Sequence, residues 1–192
     1  MALLALVMLA PVFAVLYIVV KKDGGPAFYF QNRLGKNGKM FKCWKFRSMI
    51  TNADVVLKEI LENDANAREE YARDFKLKND PRITKIGAFL RKTNLDELPQ
   101  FINVLTGDMS IVGPRPHPGP LNMQSKDKVK MYMLRHLVKP GITGWAQVNG
   151  HRGETASIEK MQKRIEHDIW YIENWSFWLD IQIIFMTVWN MI

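Results

Sequence analysis

The sequence predicts an α+β fold that is mostly helical, with an N-terminal re-entrant membrane helix, a small β-hairpin and amphipathic interfacial helices. The first twenty residues are apolar and uncharged, and residues 27–49 hold two strand-like runs around a Gly/Asn-rich loop. Several later segments place apolar residues three to four positions apart, as helices do. We therefore expect a membrane helix over residues 1–22 and one further domain over residues 23–192, with interfacial helices at its C-terminus.

The N-terminal run is long enough to enter a membrane, since a helix of about 20 apolar residues crosses a ~30 Å hydrocarbon layer. No lysine or arginine precedes the run, and Lys21 and Lys22 follow it, which disfavours a cleaved signal peptide. A buried helix of a soluble domain is the remaining alternative. Pro11 lies at the midpoint, where a kink or break would turn the chain back, so we predict re-entry rather than a straight span.

Length and charge set the class of protein. At 192 residues and 47% hydrophobic content the chain suits one domain, and its formal net charge of +8 indicates an anionic partner. Nucleic acid, a phosphorylated small molecule and an acidic lipid surface all satisfy that charge. Cys43 is the single cysteine, which excludes an internal disulfide and predicts a packed strand residue.

The sequence that follows residue 22 predicts first a basic hairpin and then an exposed helix. Lys42, Lys45 and Arg47 lie on or near the second strand of the hairpin. Residues 52–76 are rich in helix formers and predict one exposed amphipathic helix. A later helix carries an apolar stripe at Leu95, Leu98, Ile102 and Leu105.

Two adjacent carboxylates, Asp96 and Glu97, lie off that stripe. Asn94 followed three residues later by Glu97 matches a capping box, and acidic residues in a first turn complement the helix dipole. The same pair could instead carry chemistry. The local pattern leaves both interpretations open.

Two loops and an aromatic tail follow. The Pro/Gly-dense loop over residues 107–120 should be extended and stiff, with Arg115 between two prolines. A second Gly-rich loop over residues 138–153 lets backbone amides approach an anion, although its glycines could equally serve tight turns. The C-terminal segment predicts helices in the lipid headgroup layer, with core packing as the alternative; its tryptophans are Trp170, Trp175, Trp178 and Trp189.

Several chemistries lack their signatures. No phosphate-binding P-loop, dinucleotide-binding Gly motif, zinc-protease motif or serine-hydrolase elbow occurs in the sequence. The histidines are 15 to 19 residues apart and predict surface or loop positions rather than metal ligands; they are His117, His136, His151 and His167. What remains is an acidic pair among arginines on a basic, membrane-attached domain, which suits phosphoryl transfer through a carboxylate nucleophile with Mg²⁺.

Three long segments carry a resemblance to a known family. They are "FYFQNRLGKNGKMFKCWKFRSM", "NDPRITKIGAFLRKTNLDELPQFINVLTGDMSIVGPRP" and "RHLVKPGITGWAQVNGHRG". In this order they resemble the bacterial sugar transferases, which are monotopic polyprenyl-phosphate hexose-1-phosphate transferases. The C-terminal segment is similar to that of the members that transfer glucose or galactose phosphate for exopolysaccharide synthesis.

The resemblance implies roles for individual residues. The family's Asp-Glu dyad falls on Asp96 and Glu97, as catalytic residues and Mg²⁺ ligands, and its arginines fall on Arg91 and on Arg115 of the Pro-Arg-Pro motif. These two arginines would bind substrate. We also predict substrate binding by Lys45 and Arg47 of the hairpin and by Gln147 of the second Gly-rich loop.

The resemblance also implies a reaction and a location. Such an enzyme moves a hexose-1-phosphate from a UDP-sugar to undecaprenyl phosphate and releases UMP, with Mg²⁺ as cofactor, at the cytoplasmic face of the bacterial inner membrane. Its partners would be both substrates and membrane lipid, without nucleic acid, and the family leaves a homodimer open. Family members generally have a basic segment, and many have further transmembrane helices, before the membrane helix, so we expect this sequence to be a fragment. The rival interpretation is a non-catalytic basic protein that binds membrane surfaces.

Overall fold

The structure is a computed structural model that describes residues 2–153 and 157–190. Its helices in chain order are α1 (Ala2–Lys21), α2 (Ala53–Asn63), α3 (Ala65–Asp74), α4 (Lys85–Thr93), α5 (Gln100–Leu105), α6 (Gly119–Ser125), α7 (Trp145–Val148), α8 (Ile158–Glu173) and α9 (Phe177–Trp189). The strands are β1 (Phe28–Leu34), β2 (Met40–Phe46), β3 (Ser110–Val112) and β4 (Gly141–Thr143), and short 3-10 helices cover Lys36–Gly38, Leu95–Glu97 and Tyr132–Leu137. The predicted class, mostly helical with a small sheet and one apolar N-terminal helix, is confirmed.

The chain forms two compact units. The first contains Met1–Phe30 and Trp44–Gln100, and the second contains Gln31–Cys43 and Phe101–Ile192. The chain therefore leaves the first unit within β1 and returns within β2. The predicted division into residues 1–22 and 23–192 concerns the membrane and stays a prediction.

Helix α1 runs through Pro11 without a break. A proline removes one backbone hydrogen bond, and the rest of the helical ladder can continue on both sides of it. The helix is long and apolar enough to cross a membrane, and only 11% of its most apolar window is buried. Its buried residues near the C-terminal end, Leu16 and Val20, pack in one core with Phe46 and Leu90. The predicted break is therefore not observed, while re-entry stays a prediction.

The predicted hairpin is confirmed. Strands β1 and β2 are hydrogen-bonded neighbours, and the Gly35 amide donates to the Lys39 carbonyl at 2.8 Å across the connection. Asn37 and Gly38 both have positive φ, which asparagine and glycine tolerate best. Cys43 is buried in β2, as the sequence predicted.

The predicted helix over residues 52–76 is two helices, α2 and α3. Asp64 has an extended backbone between them, and its carboxylate accepts a hydrogen bond from the Ala67 amide at 3.0 Å. An aspartate in that conformation caps a new helix, so it ends the first and begins the second. A high content of helix formers alone does not reveal this internal start signal.

The sequence did not predict strands β3 and β4, which lie inside the two Gly-rich loops. They pair in parallel, with Ser110 opposite Gly141 and Val112 opposite Thr143. A Cβ atom added to Gly141 would lie 2.1 Å from the Gly113 nitrogen, so only glycine permits this approach of the two backbones. These glycines thus serve strand pairing.

Helices α8 and α9 are the last two elements of the second unit. Ile165 of α8 and Ile183 of α9 are fully buried in separate hydrophobic clusters. The four C-terminal tryptophans instead lie on the surface, with exposed fractions between 41% and 81%. They do not fill the core, which was the alternative interpretation, and their location at a membrane interface stays a prediction.

Candidate active site

The Asp96–Glu97 pair lies on the 3-10 helix Leu95–Glu97, which follows α4 directly. Asn94 has a left-handed backbone with φ of 58° that ends α4, and its side chain makes no capping hydrogen bond. The capping box, one of the two interpretations that the sequence left open, is therefore not observed: asparagine tolerates this conformation and here serves as a helix terminator. Pro99, which has no N–H group, separates the 3-10 helix from α5, so the predicted single helix is divided.

Burial distinguishes the two carboxylates from helix-capping groups. Asp96 is only 8% exposed, which is rare for an aspartate. Neighbouring residues of a 3-10 helix are about 120° apart, so Asp96 and Glu97 leave the backbone in different directions. The turn can therefore present Asp96 to one partner and Glu97 to another.

Glu97 is paired with Lys45 of β2. The Lys45 Nζ atom lies 2.7 Å from Glu97 Oε1, and their side chains are 18% and 12% exposed. Two groups this shielded from water interact more strongly than an exposed ion pair. The structure thus brings one predicted substrate-binding residue directly to the acidic pair.

Arg91 lies near Asp96 on the last turn of α4. Its Nε atom donates a hydrogen bond to Ser48 Oγ at 2.9 Å. Desolvation lowers the pKa of Arg91, and the negative charges of Asp96 and Asp80 act in the opposite direction. The arginine is thus close enough to Asp96 for their charges to interact, and sequence reasoning did not identify its contact with Ser48.

A buried ion pair lies in the segment that leads into α4. Arg82 donates to both carboxylate oxygens of Asp80, at 2.8 and 2.7 Å. Burial raises the pKa of Asp80, but the hydrogen bonds and charge of Arg82 outweigh it, so the net shift is downward. Both residues therefore keep their charges at neutral pH. Sequence reasoning did not identify this pair, although the two-residue spacing of Asp80 and Arg82 allows it.

Arg47 has a different role from the predicted substrate contact. Its guanidinium donates to both carboxylate oxygens of Asp23 and to the carbonyl oxygens of Val20, Pro26 and Met49, at 2.5 to 3.0 Å. These bonds use all five donors that an arginine has. Arg47 therefore fixes the C-terminal end of α1 to the hairpin and keeps no donor for a ligand.

The remaining predicted residues, Arg115 and Gln147, belong to the second unit. Arg115 is partly buried between two prolines, and its carbonyl oxygen accepts a hydrogen bond from Arg135 at 2.6 Å. Gln147 lies in α7, where its Oε1 atom is buried with no hydrogen-bond partner among the described residues. An amide oxygen in that state can accept a bond from a ligand.

His117 lies in the loop before α6, one of its two predicted locations, but it is buried rather than at the surface. Its ring contacts Tyr132 Oη at 2.7 Å, Arg164 Nη1 at 3.5 Å, and Nη1 of Arg135. Burial and the arginine charges hold the pKa of His117 well below its usual value. The ring is therefore neutral at pH 7. Its partners lie 15 to 47 residues along the chain, beyond the reach of a local pattern.

His136 is also buried, against the prediction, and gives stability a pH dependence. Burial and the charge of Arg135 lower its pKa from 6.5 to about 4. Between those values the unfolded chain binds a proton that the folded protein does not, so stability falls by about 3 kcal/mol as pH drops. His136→Gln should weaken the fall in melting temperature between pH 7 and pH 5. An identical fall in variant and parent would contradict this origin.

The acidic pair fits one kind of magnesium site. No group of three or more histidine, cysteine or acidic side chains within the described ranges is placed to hold a metal ion. Mg²⁺ is often held by only one or two carboxylates together with substrate phosphates. Asp96 and Glu97 can supply those carboxylates, so the donor set suits a metal that enters with a phosphorylated substrate.

Comparison with known proteins agrees with these chemical features. The bacterial sugar transferase family matches the chain over residues 1–192. The chain is 52% identical over 189 residues to the UDP-glucose:undecaprenyl-phosphate glucose-1-phosphate transferase of Escherichia coli K12, covering 98% of this chain and 38% of that protein. It is 48% identical over 186 residues to the undecaprenyl-phosphate galactose phosphotransferase of Salmonella typhimurium LT2, covering 97% of this chain and 37% of that protein.

A more distant relative has a different sugar in its name. The chain is 39% identical over 188 residues to the UDP-N-acetylgalactosamine-undecaprenyl-phosphate N-acetylgalactosaminephosphotransferase of Aeromonas hydrophila, covering 97% of this chain and 40% of that protein. The chain thus spans less than half the length of these curated relatives.

Proposed function

Because the chain belongs to the bacterial sugar transferase family, we propose that it transfers a hexose-1-phosphate from a UDP-sugar to undecaprenyl phosphate. The observation that carries this proposal is the buried Asp96 carboxylate beside the Lys45–Glu97 ion pair and the Arg91 cation. Relatives named for glucose, galactose and N-acetylgalactosamine transfer support the donor and acceptor classes. They leave the particular sugar open.

In the first half of the reaction, an Asp96 oxygen attacks the sugar-proximal phosphorus of the donor. A bond forms between that oxygen and phosphorus, and the bond from phosphorus to the bridging oxygen breaks, releasing UMP. Carboxylates act as nucleophiles toward phosphorus in enzymes that form aspartyl phosphates. The cation of Arg91 favours this step by offsetting negative charge on the phosphoryl oxygens.

In the second half, an oxygen of undecaprenyl phosphate attacks the same phosphorus. The Asp96 carboxylate leaves, and the product is a diphosphate that joins the lipid to the sugar. The two steps allow the nucleotide to depart before the lipid reacts, so ping-pong kinetics are expected.

Glu97 and Lys45 support Asp96 in this scheme. The ammonium of Lys45 offsets the charge of Glu97, which lessens the repulsion that a second carboxylate would exert on the phosphates. Asp96 and Glu97 are also the residues that would hold Mg²⁺. When bound, this ion would neutralise negative charge on the phosphates. Glu97 thus assists the metal or a proton transfer and does not replace the nucleophile.

The proposed reaction takes place at the cytoplasmic face of a bacterial inner membrane, where the lipid acceptor is held. Exposed apolar residues along α1 and the exposed C-terminal tryptophans support contact with lipid. The direct test of function incubates the purified protein with undecaprenyl phosphate, Mg²⁺ and a panel of UDP-sugars. Repeated turnover with UMP release that requires both lipid and one class of sugar is expected, because without lipid the first half of the reaction releases at most one UMP per enzyme. No release with any donor would refute the function.

The proposal makes a prediction for Arg115. We expect Arg115→Lys to reduce kcat/KM for the UDP-sugar by about tenfold or more, because a lysine cannot reproduce the two-pronged contact of a guanidinium with phosphate. Steady-state kinetics against UDP-sugar concentration measure the loss. Arg68→Lys on the exposed surface of α3 is the matched control and should retain parental kinetics. Unchanged kinetics of Arg115→Lys would remove Arg115 from the site.

Re-entry of α1 makes a separate prediction. If the helix turns back to the cytoplasmic side, a cysteine introduced by Leu3→Cys, at a position that is 64% exposed, reacts with thiol reagents from that side, since Lys21 and Lys22 at the other end also lie there. Cys43 is buried and should contribute little background. Labelling of Leu3→Cys by an impermeant reagent on intact cells would place the residue in the periplasm and contradict re-entry.

A further inference from the structure

The loop that carries Arg115 is held by its backbone carbonyl groups. Arg135 Nη2 donates to the Arg115 carbonyl at 2.6 Å, and Arg33 Nη1 donates to the Pro116 carbonyl at 3.1 Å. Asn122 Nδ2 donates to the His117 carbonyl at 3.2 Å. Three consecutive carbonyl oxygens are therefore bound by three side chains from other parts of the second unit.

The amino-acid sequence explains why side chains make these bonds. Pro114, Pro116 and Pro118 have no N–H group, so this segment cannot form a regular ladder with a neighbouring strand. Buried carbonyl groups still need donors. The guanidinium groups of Arg135 and Arg33 supply them, and the stiff proline backbone transmits the restraint along the loop.

Arg135 is the most constrained of the three donors. It is 2% exposed, it forms an ion pair with Asp168 at 2.8 Å, and its Nη1 atom contacts His117 Nδ1. A neutral imidazole nitrogen can accept from a guanidinium, whereas a protonated ring cannot. Burial and neighbouring arginine charges lower the pKa of His117 and so maintain the accepting form. Asp168 and His117 thus fix Arg135 from two directions.

We propose that Arg135 is a positioning residue that holds the Arg115 carbonyl and thereby directs the Arg115 side chain toward a phosphate of the donor. This inference rests on the proposed function. Arg135 is too deeply buried to meet the substrate, so it acts only through Arg115. The planar guanidinium suits this task, because Nη1 contacts His117 while Nη2 contacts both Asp168 and the Arg115 carbonyl.

A double-mutant cycle tests the proposal. Arg135→Lys keeps the positive charge but loses the planar guanidinium. The change is made both in the parent and in the Arg115→Lys variant, and its effect on kcat/KM is measured in each. We expect a loss of about tenfold in the parent and less than about threefold in Arg115→Lys, because the two residues act as one unit. Equal losses in both backgrounds would overturn the positioning role. If Arg135→Lys does not fold, Arg33→Lys provides the same cycle through the neighbouring carbonyl.

A second measurement does not depend on activity. Hydrogen exchange over residues 113–119 should be faster in Arg135→Lys than in the parent, because the loop loses a restraint. Arg68→Lys is again the control and should exchange at the parental rate. Unchanged exchange would show that Arg135 does not restrain the loop, even if the parent had no transferase activity. An inactive parent with faster exchange in Arg135→Lys would refute the function while retaining the restraint.

Discussion

Asp96→Asn is expected to abolish transfer, with a loss of at least about a thousandfold in kcat, and to prevent formation of a covalent intermediate. Asparagine has nearly the shape of aspartate but lacks the anionic oxygen that forms the bond to phosphorus. The turn that carries Asp96 should be retained, since the change alters charge rather than size. The enzyme is incubated with labelled UDP-sugar in the absence of lipid acceptor, and intact mass is measured for covalently bound sugar phosphate.

Two matched variants make the result specific. Asp64→Asn changes a carboxylate that caps α3 and should retain both the adduct and turnover, because asparagine is also a good cap. Glu97→Gln should slow turnover but still form the adduct, since Asp96 remains. If Asp96→Asn still acquires covalent sugar phosphate, or if the parent never does, the assignment of the nucleophile is wrong.

Local signals made part of this structure predictable. The hairpin alternates strand formers around a Gly/Asn-rich connection, and both features lie within twenty residues of sequence. The long apolar helix α1 needs no partner to be recognised. Asp96 and Glu97 are recognisable in the sequence as two adjacent carboxylates that precede a proline. Their burial was not predictable, since it depends on how α4 ends at Asn94 and which residues then cover the turn.

Long-range contacts account for what was missed. Lys45 and Arg47 look alike in the sequence, yet Lys45 meets Glu97, 52 residues later, while Arg47 binds Asp23, 24 residues earlier. No local sequence pattern distinguishes the role of Lys45 from that of Arg47. Strands β3 and β4 have three residues each and pair although they are far apart in the sequence. In the sequence alone, their glycines therefore indicate loops. The burial of His117 depends on arginines that arrive from other elements.

One glycine links the fold of the first unit to the candidate site. A Cβ atom added to Gly87 of α4 would lie 1.9 Å from the Ser48 carbonyl oxygen, which is far inside van der Waals contact. The Thr84 amide donates to that same carbonyl at 3.1 Å, and Ser48 Oγ accepts from Arg91 at 2.9 Å. The close approach of α4 to Ser48 therefore sets both the start of the helix and the position of Arg91.

Gly87→Ala is accordingly expected to lower the stability by about 3 kcal/mol or more, because helix and backbone must separate to admit one methyl group. For a chain of this size that corresponds to a fall of about 6–12 °C in melting temperature. The variant should also lose transferase activity below the melting transition, since moving α4 breaks the Arg91–Ser48 bond. Gly119→Ala is the control, because no atom lies within 4 Å of its added Cβ atom, and its melting temperature should fall far less than that of Gly87→Ala. A Gly87→Ala protein that melts and reacts like the parent would mean that the approach of α4 to Ser48 does not support the site.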